Sequence, residues 1–288
     1  MTDEIKTTRE VVGAVAELIK AAGENAQARE AAQNLGQAAV TITRTINTAL
    51  LPLAAINFAF ERARKYFDGE FQRDLLDRTR DIPLESVVDP KASIAGPALQ
   101  GIAFAQDEPN LKNMYLSLIA TSMDKRVAAN AHPAFVEIIK QLEGEEARLL
   151  GIVLKNSGAL PIARIRAQDT HTQGYRPLGS HMMDLRNMET MDCIEDPNQP
   201  AMVDNWLRLG LVEVRYDEFL MGDKAYAWVE ERPEYKRLKN EYEVGNTTVS
   251  HQPGRIARTA FGLKFATAAG VLTEQFQIPL TPSPTSGG

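Results

Sequence analysis

The sequence has one cysteine in 288 residues, only four histidines, and 7% aromatic side chains. A lone thiol, Cys193, closes no internal bridge, which excludes a disulfide scaffold and points to a reducing compartment. Long apolar runs are also missing. The longest uncharged stretches are Thr45 to Phe60, sixteen residues, and Ala92 to Gln106, fifteen residues, against the about 20 that a membrane-spanning helix needs. Pro52 interrupts the first, and Gly96, Pro97 and Gly101 interrupt the second. Both are expected to be core segments, with membrane contact as the alternative. The opening MTDEIKTTRE lacks the apolar centre of a secretory signal. The expected location is cytoplasmic, with membrane association on activation as the variant that the two apolar stretches allow.

Positive charge is in deficit, with 32 basic against 38 acidic residues and a net charge of −6. That disfavours a general nucleic-acid binder, whose affinity comes from neutralising phosphates. Signature motifs of chemistry are absent too: no CxxC or HExxH, no Gly-rich phosphate loop, no nucleophile elbow and no kinase signature occurs.

What is present is helical periodicity. Thr7 and Glu10 form a capping box ahead of a helix over about residues 8 to 22. After Gly23-Glu24-Asn25 comes an Ala-rich helix through Leu35, Ala38, Ile42 and Ile46. Phe67, Phe71 and Leu75 oppose a polar face carrying Arg62, Arg64 and Lys65. Arg73, Arg78 and Arg80 extend that basic cluster, and the interleaved Asp68, Glu70, Asp74, Asp77 and Asp81 make it a salt-bridged surface. Further helices are expected over Ile94 to Phe104, from Asp107-Glu108-Pro109 through Met123, and from His132-Pro133 through Leu142, with His132 capping the last.

The second half changes character. An acidic first turn at Glu145-Glu146 leads into the apolar helix ending at Gly158, as the helix dipole favours. Leu160 to Ile165 reads as a short strand, and Pro200 to Leu209 as a helix with Gly210 at its C-cap. Leu211 to Tyr216 and Ala225 to Val229 alternate with period two across Met221-Gly222-Asp223, the pattern of a β-hairpin. Helix, strand, helix and hairpin in this order resemble a winged helix. The candidate recognition helix, Ala201 to Leu209, offers Arg208 against Asp204, and Asp217, Glu218 and Asp223 would repel phosphate at the hairpin. Protein contact or packing is the preferred reading of that wing.

Metal-binding residue types gather between Asp169 and Asp196: His171, His181, Asp184, Asp192, Cys193 and Asp196. Their spacing fits no regular element, because Gly174, Pro177 and Gly179 separate the two histidines. A solvated loop is expected there, and no base is evident to activate Cys193 as a nucleophile.

The run His132-Pro133-Ala134-Phe135-Val136-Glu137-Ile138-Ile139-Lys140-Gln141-Leu142, with Glu145-Glu146-Ala147-Arg148-Leu149-Leu150 after it, resembles the signature of the abortive infection alpha (Abi-alpha) family. Leu51-Pro52-Leu53, Ile94-Ala95-Gly96-Pro97-Ala98-Leu99 and Leu118-Ile119-Ala120-Thr121-Ser122-Met123-Asp124 agree in order and spacing. So do Asp204-Asn205-Trp206-Leu207-Arg208-Leu209-Gly210 and Thr259-Ala260-Phe261-Gly262-Leu263-Lys264-Phe265; the likeness spans about residues 40 to 268. The resemblance implies a prokaryotic protein linked to phage defence, and it implies no catalytic residues.

The expected fold class is therefore mainly α: an N-terminal helical bundle followed by a winged-helix-like α+β domain with a β-hairpin. Its expected divisions are 1–142 all-helical, 143–268 winged-helix-like with an irregular insertion at 167–199, and 269–288 a Pro/Ser/Thr-rich disordered tail. No catalytic, cofactor-binding or metal-ligating residue is assigned, and no cofactor is expected. The expected activity is non-enzymatic abortive-infection defence through protein or membrane contacts, with a protein partner or phage component as target and nucleic acid disfavoured. The alternatives are a DNA-binding regulator using the wing and a metal-dependent hydrolase using His171, His181, Asp184 or Cys193.

Overall fold

The structure, a computed structural model, describes residues 26–50, 57–172, 174–187, 189–222 and 224–273. The helix expected over 8–22, Pro52, Asp223 and the tail from residue 274 onward lie outside the described residues. The chain divides into two compact units, Met1–Ala147 with Thr267–Phe276, and Arg148–Ala266 with Gln277–Gly288.

The first unit is built from α1 (Ala26–Leu50), α2 (Asn57–Gly69), α3 (Phe71–Thr79), α4 (Ala92–Phe104), α5 (Pro109–Met123) and α6 (Pro133–Ile139). Proline at the first turn of α5 and α6 costs nothing, because those N–H groups lack helical partners anyway. His132 caps α6, its Nδ1 accepting the Ala134 N–H at 3.1 Å. The centre of the unit is α4, which packs on α1, α5 and α6. Its Ile94, Ala95, Ala98, Leu99 and Ile102 are wholly buried, each large side chain contributing about 1.5–3 kcal/mol by leaving water. Gly101 is required where α4 meets α5, since a Cβ there would lie 2.3 Å from the Tyr115 ring. The uncharged stretch 92–106 is thus core. Among the described residues no helix is long and apolar enough to cross a membrane. Tyr66, Phe67 and Phe71 pack edge to face with centroids 5.2–6.1 Å apart, and Arg64 and Arg73 pair with Asp68 and Asp74. Arg78 instead turns inward to Ser117 and Asn113.

The second unit holds most of α7 (Gly144–Lys155), then β1 (Leu160–Asp169), β2 (Tyr175–Met182), α8 (Gln199–Arg208) and β3 (Val212–Arg215). After these come α9 (Trp228–Glu231), α10 (Pro233–Tyr242), β4 (Thr247–Arg258) and α11 (Ala260–Ala268). All strand pairs are antiparallel, in the order β2-β1-β4-β3, and the sheet curls into a half-barrel. Side chains alternate across it as the pleat dictates. Ala163, Ile165 and Ala167 are buried on one face, where Ala163 and Ile165 join a core with Trp228, Val229, Tyr235 and Val249. Arg164, Arg166 and Gln168 occupy the opposite face, across from Gln252, Ser250 and Thr248 of β4.

This architecture corrects the expected fold class. The molecule is not a mainly-α bundle followed by a winged helix; it combines helices with a four-stranded antiparallel sheet. The hairpin does not form. β3 pairs with β4, Val212 opposite Arg258 and Arg215 opposite Arg255, and the stretch read as the second hairpin strand enters α9. Trp228 and Val229, neighbours in sequence, open that helical turn and are both buried. The interval 167–199 contributes strand β2 along β1.

Candidate functional site

The densest polar constellation of the second unit forms where β2 ends. Between the pairs Ala163–Met182 and Ile165–Gly179, β1 has one residue and β2 has two, Ser180 and His181. This is a β-bulge, which redirects a side chain. His181 adopts φ 59°, a left-handed conformation uncommon outside glycine and asparagine. Buried Gln199 holds that backbone, its Nε2 donating to the His181 carbonyl at 2.5 Å.

So turned, the imidazole meets α8 and β3. Nε2 lies 3.1 Å from Asp204 Oδ1 and Nδ1 lies 3.2 Å from Tyr216 Oη. A carboxylate partner fixes the ring proton on Nε2, which leaves Nδ1 to accept from the Tyr216 hydroxyl. The His181 N–H donates to the same phenol oxygen at 3.1 Å. Tyr216 sits against Gly254, where a Cβ would come within 2.6 Å of the ring. The Arg164 guanidinium lies 4.6 Å from the ring centroid, while its Nε donates to Gln252, which in turn donates to the Tyr216 carbonyl. Burial lowers the His181 pKa, with Asp204 opposing, so the ring is neutral near pH 7. Burial likewise raises that of Tyr216. The chain Asp204, His181, Tyr216 can pass a proton along, and it locks strand β2 to α8 and β3.

The other residues anticipated as metal ligands are not brought together. His171 lies exposed in the β1–β2 turn, its N–H bonded to Asp169. Asp184 pairs with Arg186, which also holds Glu231. Asp192 is exposed, Asp196 accepts from the Asn198 N–H, and Cys193 bridges to Arg186 through the backbone. Among the described residues no three His, Cys, Asp or Glu side chains lie close enough to hold a metal ion. The segment is pinned from beneath: Arg232, almost wholly buried, bonds Glu234 and the carbonyls of Leu185 and Ile194. In the helix compared with a DNA-reading element, Asp204 is engaged by His181 and Arg208 donates to Asn205.

A second feature lies just beyond Tyr216. Phe219 and Met221 are 55% and 90% exposed. Their loop is nevertheless tied: Arg215 and Arg255 hold Asp217 and Glu218, the Leu220 N–H donates to Tyr226 Oη at 2.9 Å, and that hydroxyl donates to the Gly254 carbonyl at 2.7 Å. Sequence reasoning missed Tyr216, Tyr226 and Arg164 as partners; the one local signal was a strand, Ile162-Ala163-Arg164-Ile165-Arg166, that alternates charge with apolar residues.

A family model described as abortive infection alpha matches residues 63–269. No curated protein and no solved structure matches the chain.

Proposed function

The chain belongs to the abortive infection alpha family, which suggests a role in phage defence, and from that premise we propose that it acts by docking on a protein partner and not by bond-making chemistry. The observation that carries the docking reading is the apolar pair Phe219 and Met221, held out to water by a tied loop. Such exposure is unfavourable in the free protein and is relieved when a partner covers it. Asp217 and Glu218 precede the pair. Each is tied to an arginine, so the loop presents no excess of positive charge to an anionic bilayer and suits a protein surface with an apolar socket.

The test is a Phe219→Ser/Met221→Ser double variant expressed at the wild-type level and challenged with phage. Exposed side chains contribute little to stability, within about 0.5 kcal/mol each, so the melting temperature should hold while protection falls. Undiminished protection would remove the loop from the function. Flotation of the wild type, but not the variant, with anionic liposomes would replace the protein partner by a membrane.

A further inference from the structure

Among the arginines on the strands, Arg176 lies against the Tyr242 ring and Arg258 donates to the Leu154 carbonyl, whereas Arg215 and Arg255 each form an ion pair. Arg164 and Arg166 form none among the described residues, in a chain with an excess of acid. Both stand on one face of β1, two residues apart, which places their Cα atoms about 7 Å apart. Each guanidinium is set against a tyrosine ring, Arg164 at 4.6 Å from the Tyr216 centroid and Arg166 at 5.4 Å from that of Tyr175. Arg164 uses Nε on Gln252; among the described residues Arg166 has no hydrogen-bond partner, and its Nε is buried. Directly opposite, in register, the buried Ser250 Oγ also lacks one. Polar atoms buried and left unbonded are costly, and here one belongs to Arg166 and the other stands across from it in register.

We infer that this face of the sheet binds a nucleotide bearing two or more phosphates, with Arg164 and Arg166 gripping the phosphates and Tyr175 stacking on the base. Guanidinium forks match phosphate oxygens bidentately, and adjacent forks suit adjacent phosphates. Tyr175 is 55% exposed and offers a planar surface of the kind that bases stack on. Ser250 supplies a hydroxyl donor between the strands. The net charge of −6 favours a compact ligand over a polyanion, which would meet repulsion beyond the site. The inference rests on residues other than Phe219 and Met221, so it does not depend on the docking reading.

Isothermal titration of the full chain with ATP, inorganic diphosphate, adenosine and a short single strand of oligo-deoxythymidine tests it. ATP and diphosphate should bind and adenosine should not. Arg164→Gln and Arg166→Gln should each weaken ATP binding by about tenfold or more, whereas Tyr175→Ala should weaken ATP and leave diphosphate unchanged. Circular dichroism shows whether the variants fold, and Arg166→Lys, which keeps the charge and loses the fork, is the milder substitute. Absence of heat with both ATP and diphosphate on the wild type overturns the inference, as does ATP affinity unchanged in the folded arginine variants. Binding of the oligonucleotide without binding of ATP overturns the assignment to a mononucleotide.

Discussion

His181 concentrates three constraints: a left-handed backbone, a bulge, and a ring bonded at both nitrogens. Its pKa is lowered, chiefly by burial, so the unfolded chain takes up the proton more readily below the ordinary value near 6.5. The unfolded state then binds more protons, and stability falls as pH drops through and below that value. Urea unfolding of the wild type should therefore show a lower midpoint at pH 5 than at pH 7. His181→Asn keeps a residue tolerant of φ 59° but loses the titrating ring, and the pH slope should flatten. Part of the slope persists through His251, lowered in the same direction by burial with Glu230 opposing. An unchanged slope would mean that the ring does not discriminate between folded and unfolded chains. The histidine itself was visible in the sequence as a candidate ligand. Its partners were not, because Asp204 and Tyr216 lie 23 and 35 positions away and meet it only through the curl of the sheet.

Elements whose signals are local were legible. The amphipathic periods of α1, α5 and α8, the proline starts of α5 and α6, and the glycine after α8, at φ 71°, all follow from short-range chemistry. β4 was not, since Pro253-Gly254 reads as a turn and proline is rare in an interior strand. β3 has no local partner, which invited a hairpin with the nearest alternating stretch. The last helix, α11, tests how such long-range contacts are fixed. Thr259 caps it, accepting the Gly262 N–H at 2.8 Å and donating to the Gly210 carbonyl at 2.6 Å, and a Cβ on Gly262 would fall 2.0 Å from the Leu211 carbonyl oxygen. Gly262→Ala gains up to about 1 kcal/mol of helix propensity but must displace backbone, costing about 1–3 kcal/mol. The denaturation midpoint should fall; a rise would show that the close approach of α11 to Leu211 is not tight.

For the whole molecule, composition excluded more than it assigned. Net charge, the single thiol and the missing motifs narrowed the function without naming a site, because Arg164 and Arg166 are two cations within an acidic total. The same total makes a prediction. A heparin column should fail to retain the protein at about 0.15 M salt, where only clustered charge survives screening; firm retention would reveal a basic surface far larger than one strand face. The order of the strands also bears on how the protein is made. β1 lies between β2 and β4, and Leu160 finds its β4 partner in Ile256, so the ribosome must add nearly a hundred more residues before that side of β1 can close. At about 5–20 residues per second, a nascent chain displays one edge of β1 unpaired for several seconds, and any message truncated before β4 would release a polypeptide in which that edge stays open to pairing with another chain.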